Sequence, residues 1–298
     1  ATLRENVVSL ARNIGYVPRS RTAAKASVSF TVEVEGTESS TFVLEKGLVC
    51  VGALNDTSYT FSILEDIQKP TSITDFNSDG TPVNKRTATF DNVEILQGTF
   101  LEKKFVVDSS LDQRFVLNNS FIDTSTIKVY VKKENDSGLG VEFKLIDNIT
   151  NVTGSSNTFL IQEIQDEKYE LLFGDGLIGK KLETGDIVTV NYLVTDGKEG
   201  NDAFRFSFSG RVVDSDGNPT TPNPFIVTTS QKSQNGGDIE SIDSIKYFAP
   251  RIYSAQNRAV TSRDYESIIK TIYPDTESVS VVGGEELDPP EFGTVQIS

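Results

Sequence analysis

The run Gly174-Asp175-Gly176-Leu177-Ile178-Gly179 has the glycine spacing that lets a backbone approach a pyrophosphate, and it follows a strand-like segment, Tyr169–Phe173. That chemistry requires the third glycine to open a helix whose N-terminal N–H groups face the phosphates. Here Lys180-Lys-Leu-Glu-Thr-Gly185-Asp186 leads straight into another strand-like segment, Ile187–Val194, leaving no room for the helix. Gly174, Asp175, Gly176, Gly179 and Gly185, with Gly197 further on, therefore read as structural turn residues around a Gly-rich hairpin. No nucleotide or other cofactor is expected.

Asp75-Phe-Asn77-Ser-Asp79-Gly80 matches the first half of a calcium loop, with oxygen ligands at alternate positions and the turn glycine in place. The position that should carry a bidentate glutamate is Arg86, so a turn in a long hairpin is the better reading and no metal is expected. Glu285, Glu286, Asp288 and Glu291 gather four carboxylates in one short segment. General acid chemistry needs one carboxyl raised by burial, and these read as a solvated loop. Cys50, in Gly47-Leu-Val-Cys50-Val51, has no basic neighbour to make it a thiolate and reads as a buried structural thiol. With no His in 298 residues, the usual imidazole base is missing and serine catalysis lacks its partner. No catalytic residue is assigned, and an enzyme is not expected.

Lys and Arg number 28 against 43 Asp and Glu, a formal charge of −15, which opposes binding to phosphate backbones. Nucleic acid is thus not an expected partner. No apolar run approaches the ~18 residues of a membrane helix, so no membrane partner is expected either. The chain opens at Ala1, contains no Met, and stops at Ser298 in what reads as mid-strand; a fragment of a longer product is the expectation.

The elements that must position any surface alternate in period along the chain. Leu3, Val7, Leu10, Ala11 and Ile14 share a helical face over residues 2–14, with Thr2 and Glu5 at capping-box spacing and Gly15 as the stop. From Ser27 the period becomes two, with Val28, Phe30, Val32 and Val34 alternating with polar residues. Strand-like segments then recur to about residue 230, separated by turn chemistry such as Asp79-Gly80, Ser137-Gly138, Asp196-Gly197 and Asp216-Gly217. Helical spacing returns in Ile239, Ile242 and Ile245 up to Pro250, and in Tyr265, Ile268, Ile269 and Ile272 after a Thr261/Asp264 capping box.

The predicted fold is mainly β with minor α (α+β): antiparallel β domains preceded by an N-terminal helix and followed by a small helix-and-strand module. The expected divisions are 1–25 (helix and entry segment), 26–110 (β domain), 111–235 (second β domain with the Gly-rich hairpin) and 236–298 (α/β module, truncated at its C-terminus). The boundaries are placed at Val107–Gln113 and in the Pro- and Gly-rich stretch Asp214–Gly237.

Three separated blocks carry a family resemblance. Arg4-Glu-Asn-Val-Val-Ser-Leu-Ala-Arg-Asn-Ile-Gly-Tyr-Val-Pro18, followed by Ala23-Ala-Lys-Ala26, resembles the entry segment of the baseplate J-like family, the wedge proteins of contractile bacteriophage tails. Phe173–Gly179, then Gly185-Asp-Ile187, Tyr192, Gly197 and Gly200-Asn201, is similar to its Gly-rich signature. Glu240-Ser-Ile-Asp-Ser-Ile-Lys-Tyr-Phe-Ala-Pro250 and Gln256-Asn-Arg-Ala-Val-Thr-Ser-Arg-Asp-Tyr265 resemble its most characteristic run, and length and acidity suit the T-even-type wedge proteins.

The resemblance implies a non-enzymatic virion protein of the tail baseplate, present in host cytoplasm during assembly. Its implied partners are itself, as a homo-oligomer forming a dimer within a ring, and other baseplate wedge proteins around the tail hub; no small-molecule substrate is implied. Arg251, Arg258 and Arg263 form a basic island in an acidic chain, with Gln256, Asn257, Asp264 and Tyr265 beside them, and together they are the candidate interface. Local pinning of the chain before the Thr261 helix cap is the competing role for Asn257 and Arg258. Two other functions fit a β body: a surface glycan-binding module and a carboxylate-based glycosidase.

Overall fold

The computed structural model describes residues 3–298 except 74–75, 77, 81–82, 147–151, 221–226, 256–257, 260, 274–275 and 277. The chain divides into two units, one built from residues up to Ser20 with Glu163–Asp166 and Ile239–Ser298, the other from Arg21–Gln162 and Glu167–Asp238.

After helix α1 (Arg4–Asn13) come strands β1 (Lys25–Glu35), β2 (Thr41–Leu44), β3 (Gly47–Leu54), β4 (Thr57–Ile63), β5 (Ile67–Pro70), β6 (Lys85–Gln97), β7 (Thr99–Val106), β8 (Phe115–Leu117) and β9 (Ile122–Lys133). They continue with β10 (Val141–Leu145), β11 (Thr158–Glu163), β12 (Tyr169–Phe173), β13 (Asp186–Val194), β14 (Arg205–Phe208), β15 (Val212–Val213) and β16 (Thr228–Gln234). Helices α2 (Ile242–Ala255) and α3 (Ser262–Ile272) and the short strands β17 (Val281–Gly283) and β18 (Val295–Ile297) complete the chain. The molecule is mostly strand with few helices, as its periodicity predicts.

The larger unit holds a six-stranded sheet in the order β14-β3-β4-β6-β1-β16, a seven-stranded sheet β7-β13-β9-β10-β11-β12-β8, and a three-stranded sheet β15-β2-β5. Pairing is mainly antiparallel, with β10 and β11 running parallel. In β1 the alternation is clean: Ala26, Val28, Phe30, Val32 and Val34 are buried. Its partner β6 changes phase, burying Ala88 and Phe90 but then Val93 and Ile95. A bulge absorbs the extra residue, since Val28 pairs with Val93 and Phe30 with Phe90. Asn92 takes it up in the left-handed region, at φ 50, and its N–H donates to Ser29 Oγ at 2.9 Å. Both halves of β6 thereby face one core, where the rings of Phe30 and Phe90 stack at 5.2 Å.

Several expectations are revised. The segment Val107–Gln113 joins β7 to β8, two strands of the same sheet, so it connects within one body. The body near Asp214–Gly237 also mixes the two halves, because β14 and β16 belong to the six-stranded sheet with β1 and β6. β12 and β13 are not neighbours: β12 pairs with β8 at one end of the sheet and β13 lies between β7 and β9, so residues 174–185 form a crossover loop and not a hairpin. β3 carries the core residues Val49 and Cys50, although its glycines and continuous apolar run show no alternation. The second residues of two turn signals, Gly80 and Gly217, have φ near +82. Asp75 and Asn77 of the calcium-like sequence lie outside the described residues; the surrounding segment is closed by a bridge between Ser72 and Thr87.

In the smaller unit α1 starts after Leu3, which makes no side-chain cap; Thr2 lies outside the described residues. Its buried face is Val7, Val8 and Ala11, packed with Ile245 and Ala249 of α2, while Leu3 and Leu10, assigned to that face by spacing, are exposed. Pro250 does not end α2, which runs on to Ala255; its missing N–H removes one backbone bond inside the helix. α3 begins as its sequence predicts, with Thr261 N–H donating to Asp264 Oδ2 at 2.8 Å and Asp264 N–H to Thr261 Oγ1 at 3.3 Å.

Candidate interaction surfaces

The Gly-rich loop is shaped by close backbone approach. Asp175 Oδ1 accepts from the N–H groups of Leu177 at 2.8 Å and Ile178 at 2.9 Å, and Gly176 N–H donates to Gly179 O at 3.0 Å. These donors, Ile178 first, hold the Asp175 carboxyl below its ordinary range. A Cβ on Gly174 would stand 2.1 Å from the Gly179 carbonyl carbon, whereas Gly176 is glycine for its φ of +94. The loop is tied to a second one: Gly179 N–H donates to Thr153 O at 3.1 Å and Lys180 N–H to Ser156 O at 2.8 Å. The N–H groups of Gly176, Leu177, Ile178, Gly179 and Lys180 are all spent on the chain itself, so the turn closes on backbone where a phosphate would have to sit. Gly185, at φ +87, turns the chain into β13.

Gly197 belongs to a separate joint where the chain passes between the two large sheets. Gln97 ends β6 there, and its amide binds the other crossing: Thr195 Oγ1–H donates to Gln97 Oε1 at 2.6 Å, Asp196 N–H to the same oxygen at 3.0 Å, and Gln97 Nε2 to Asp196 Oδ2 at 2.8 Å. A Cβ on Gly197 would meet Gly237 O at 2.7 Å. Asn201 closes the joint, its amide exchanging bonds with Gly236 O at 3.0 Å and Gly236 N–H at 2.8 Å. The glycines quoted as one signature thus serve two distinct places.

In the smaller unit, Glu240 is the hub that sequence reasoning missed. Its carboxylate accepts from Tyr16 O–H at 2.6 Å, Ser244 Oγ–H at 2.7 Å and Arg19 N–H at 3.1 Å. Its carbonyl accepts from Arg4 Nη1, and Arg4 also forms a two-pronged pair with Glu163 at 2.6 and 3.0 Å. Burial, and then the Glu240 carboxylate, push the Tyr16 phenol well above its ordinary range. The signal was present: Arg4 and Glu240 are the first residues of two of the blocks that carry the family resemblance.

Of the candidate interface, Arg251 lies in α2 with its guanidinium 3.5 Å from the centre of the Tyr247 ring and donating to Tyr247 O. Arg258 and Arg263 are exposed, Arg263 as the second residue of α3; Asp264 is committed to the cap and Tyr265 is half-buried. Gln256 and Asn257 lie outside the described residues. Exposed on the same helices are Tyr247, Tyr253 and Ile272, with Tyr273 exposed just past the end of α3.

The acids offer little to acid-base catalysis. Glu285, Glu286, Asp288 and Glu291 are exposed. Buried Glu170, at 4% exposure, is gripped by Arg114 at 2.7 Å on both oxygens and by Gln162 at 2.6 Å. It lines a cleft of about 370 Å³ with Asp108, whose carboxyl is held low by the Ser110 hydroxyl, the opposite of what a proton donor needs. Many aromatic side chains lie in cores, among them Phe42, Phe61, Phe90 and Phe159, which removes them as sugar platforms. Among the described residues no helix is long and apolar enough to cross a membrane, and no cluster of metal-ligating side chains is found.

Comparison with known proteins places these surfaces in context. A family model described as "Baseplate structural protein gp6, C-terminal domain I" matches residues 261–298, the segment of α3, β17 and β18. The chain is similar to "Baseplate wedge protein gp6" of Enterobacteria phage T4, at 23% identity over 292 residues, covering 90% of this chain and 40% of that protein. It therefore spans less than half the length of this relative. A solved structure, the six-fold symmetrised cryo-EM baseplate of the anti-feeding prophage, matches at a TM-score of 0.33 and 15% identity, over 96% of this chain and 49% of the other.

Proposed function

We propose that the chain is a structural component of a contractile-tail baseplate wedge. The observation that carries the reading is the likeness to the T4 baseplate wedge protein along 90% of the chain, with a baseplate family model covering its last segment. On this reading the protein has no enzymatic role, resides in the virion tail baseplate after assembly in the host cytoplasm, and contacts other copies of itself and other wedge proteins. It is a member of the baseplate J-like group of wedge proteins. The basic island of Arg251, Arg258 and Arg263 with Tyr265 contributes one contact surface, and the glycine turns hold the strands that display the others.

A β body whose Gly-rich loop spends the N–H groups of residues 176–180 on its own chain suits this work, since contact surfaces need shape more than titratable groups. The test is reconstitution: the chain mixed with the other baseplate proteins of the same particle and viewed by negative-stain electron microscopy. Wedges or rings that form only when it is present are the expected result. Purified tail particles that lack the protein by mass spectrometry would overturn the reading.

A further inference from the structure

The tip of the Gly-rich loop carries two apolar side chains into solvent: Leu177 is 80% exposed and Ile178 51%. They are not loose. Both of their N–H groups are bound by Asp175, and the loop behind them is tied to Thr153 and Ser156. Aliphatic side chains carried on a backbone that is fixed before contact are efficient anchors, because little backbone ordering entropy remains to be lost on binding.

The foot of this loop lines the cleft of about 370 Å³. Its lining includes the buried apolar side chains Val107 and Leu171 and the buried Glu170, whose charge is met by Arg114, together with Leu111, the carboxylates Asp108 and Asp112, and Lys181. Next to the apolar tip stands Lys180, which is exposed, while Lys181 belongs to the lining of the cleft. Two copies each carrying −15 repel one another, so a contact between them must be seated on local opposite charge. An apolar anchor beside the cation Lys180, and a partly apolar cleft carrying the carboxylates Asp108 and Asp112, lie beside each other in one chain. That arrangement is what a two-fold, self-complementary contact requires.

We propose that Leu177 and Ile178 of one copy enter this cleft of a second copy, reciprocally, with Lys180 facing Asp112. The inference rests on the assembly reading above and deepens it, by naming a surface through which copies meet.

Sedimentation velocity over a concentration series of the 298-residue chain is the test. A reversible dimer is expected, weakened about ten-fold or more by Leu177→Asp and by Lys180→Glu, with Asp112→Lys restoring association to the Lys180→Glu chain. A chain carrying Leu177→Cys and Leu111→Cys should oxidise to a disulfide-linked dimer, Cys50 being buried. A chain monomeric throughout, or a dimer indifferent to both charge changes and giving no cross-link, overturns the contact. Should Leu177→Asp disturb the fold, the charge swap and the cross-link still decide. If these fail while the chain still enters wedges, only the two-fold contact is lost; absence from tail particles would refute the assembly reading by itself.

Discussion

Tyr16 and Glu240 are 224 residues apart in the chain, and the phenol of one donates to the carboxylate of the other at 2.6 Å. With Arg4 bound to the Glu240 carbonyl and Arg19 N–H to its other carboxylate oxygen, the entry segment is fastened to the chain two residues before α2. The helices α1 and α2 are then packed through Val7, Val8, Ala11, Ile245 and Ala249.

Tyr16→Phe is expected to lower stability by roughly 1–2 kcal/mol, the worth of a hydrogen bond to a charged group with its acceptor left short of a donor. Because the phenol is raised in the folded state, its contribution is fully present below the ordinary tyrosine value of about 10 and is lost as pH rises through the higher folded value. Tyr130 and Tyr192 are also raised by burial, but Tyr16 most, so phenolate absorbance during alkaline titration should lose its latest-ionising tyrosine in the Tyr16→Phe protein. An unchanged titration would remove the Glu240 contact.

The two loop glycines should respond differently. Gly174→Ala forces a Cβ against the Gly179 backbone, so the loop must move. Gly176→Ala meets only Lys181 Cβ at 3.7 Å and carries the cost of a positive φ, about 1–2 kcal/mol. Chemical denaturation of the two variants should rank Gly174→Ala as the more destabilised; the reverse order would mean that the Gly174–Gly179 approach is misplaced.

Gln97→Leu keeps the side-chain size but strands the Thr195 hydroxyl and the Asp196 N–H, for a loss of roughly 2–3 kcal/mol. The urea midpoint should fall without change in slope, as for a lost interaction in an intact fold. A midpoint equal to that of the parent would show that the joint between the sheets does not depend on this amide.

Cys50 is fully buried, and burial pushes its thiol up to about 12. Alkylation at neutral pH should be negligible until denaturant unfolds the chain, then complete at one site per molecule. Rapid labelling under native conditions would contradict the core position of β3.

Lowering the pH should loosen the Gly-rich tip before the cores. Asp175 is depressed by the N–H groups it accepts, so its contribution is present above the ordinary aspartate value and is lost as pH falls through the lower folded one. Amide exchange protection at Leu177 and Ile178 should decline in that window, and Asp175→Ala should abolish it at all pH values. Protection independent of both changes would refute the Asx turn.

Much of the local structure was legible in particular residues. The alternation of Val28, Phe30, Val32 and Val34, the Thr261/Asp264 box and the segment Tyr169–Phe173 each specify an element by short-range chemistry, and each element is present. The competition for a helical face was less legible: Leu10 and Val8 both suit a helix, and only packing against Ile245 selects Val8. β3 was hidden because Gly47 and Gly52 break its pattern. Gly52 is there to admit the rings of Phe61 and Phe206, which approach a would-be Cβ to 2.8 and 2.7 Å.

By its sequence alone this protein is an acidic, mainly β chain with helices near its two ends, lacking histidine chemistry and carrying glycines where the backbone must turn tightly. Those properties follow from side-chain type and spacing within a few residues. Which strands become neighbours, that residues 174–185 cross between non-adjacent strands, and that Glu240 gathers Tyr16, Arg19 and Arg4 were decided only in three dimensions. The reason is physical: periodicity says which face of a strand or helix leaves water, but every buried face is acceptable to many others. Partner choice is made by the bulge at Asn92, the amide of Gln97 and the close approach at Gly174, which operate only once distant segments have met.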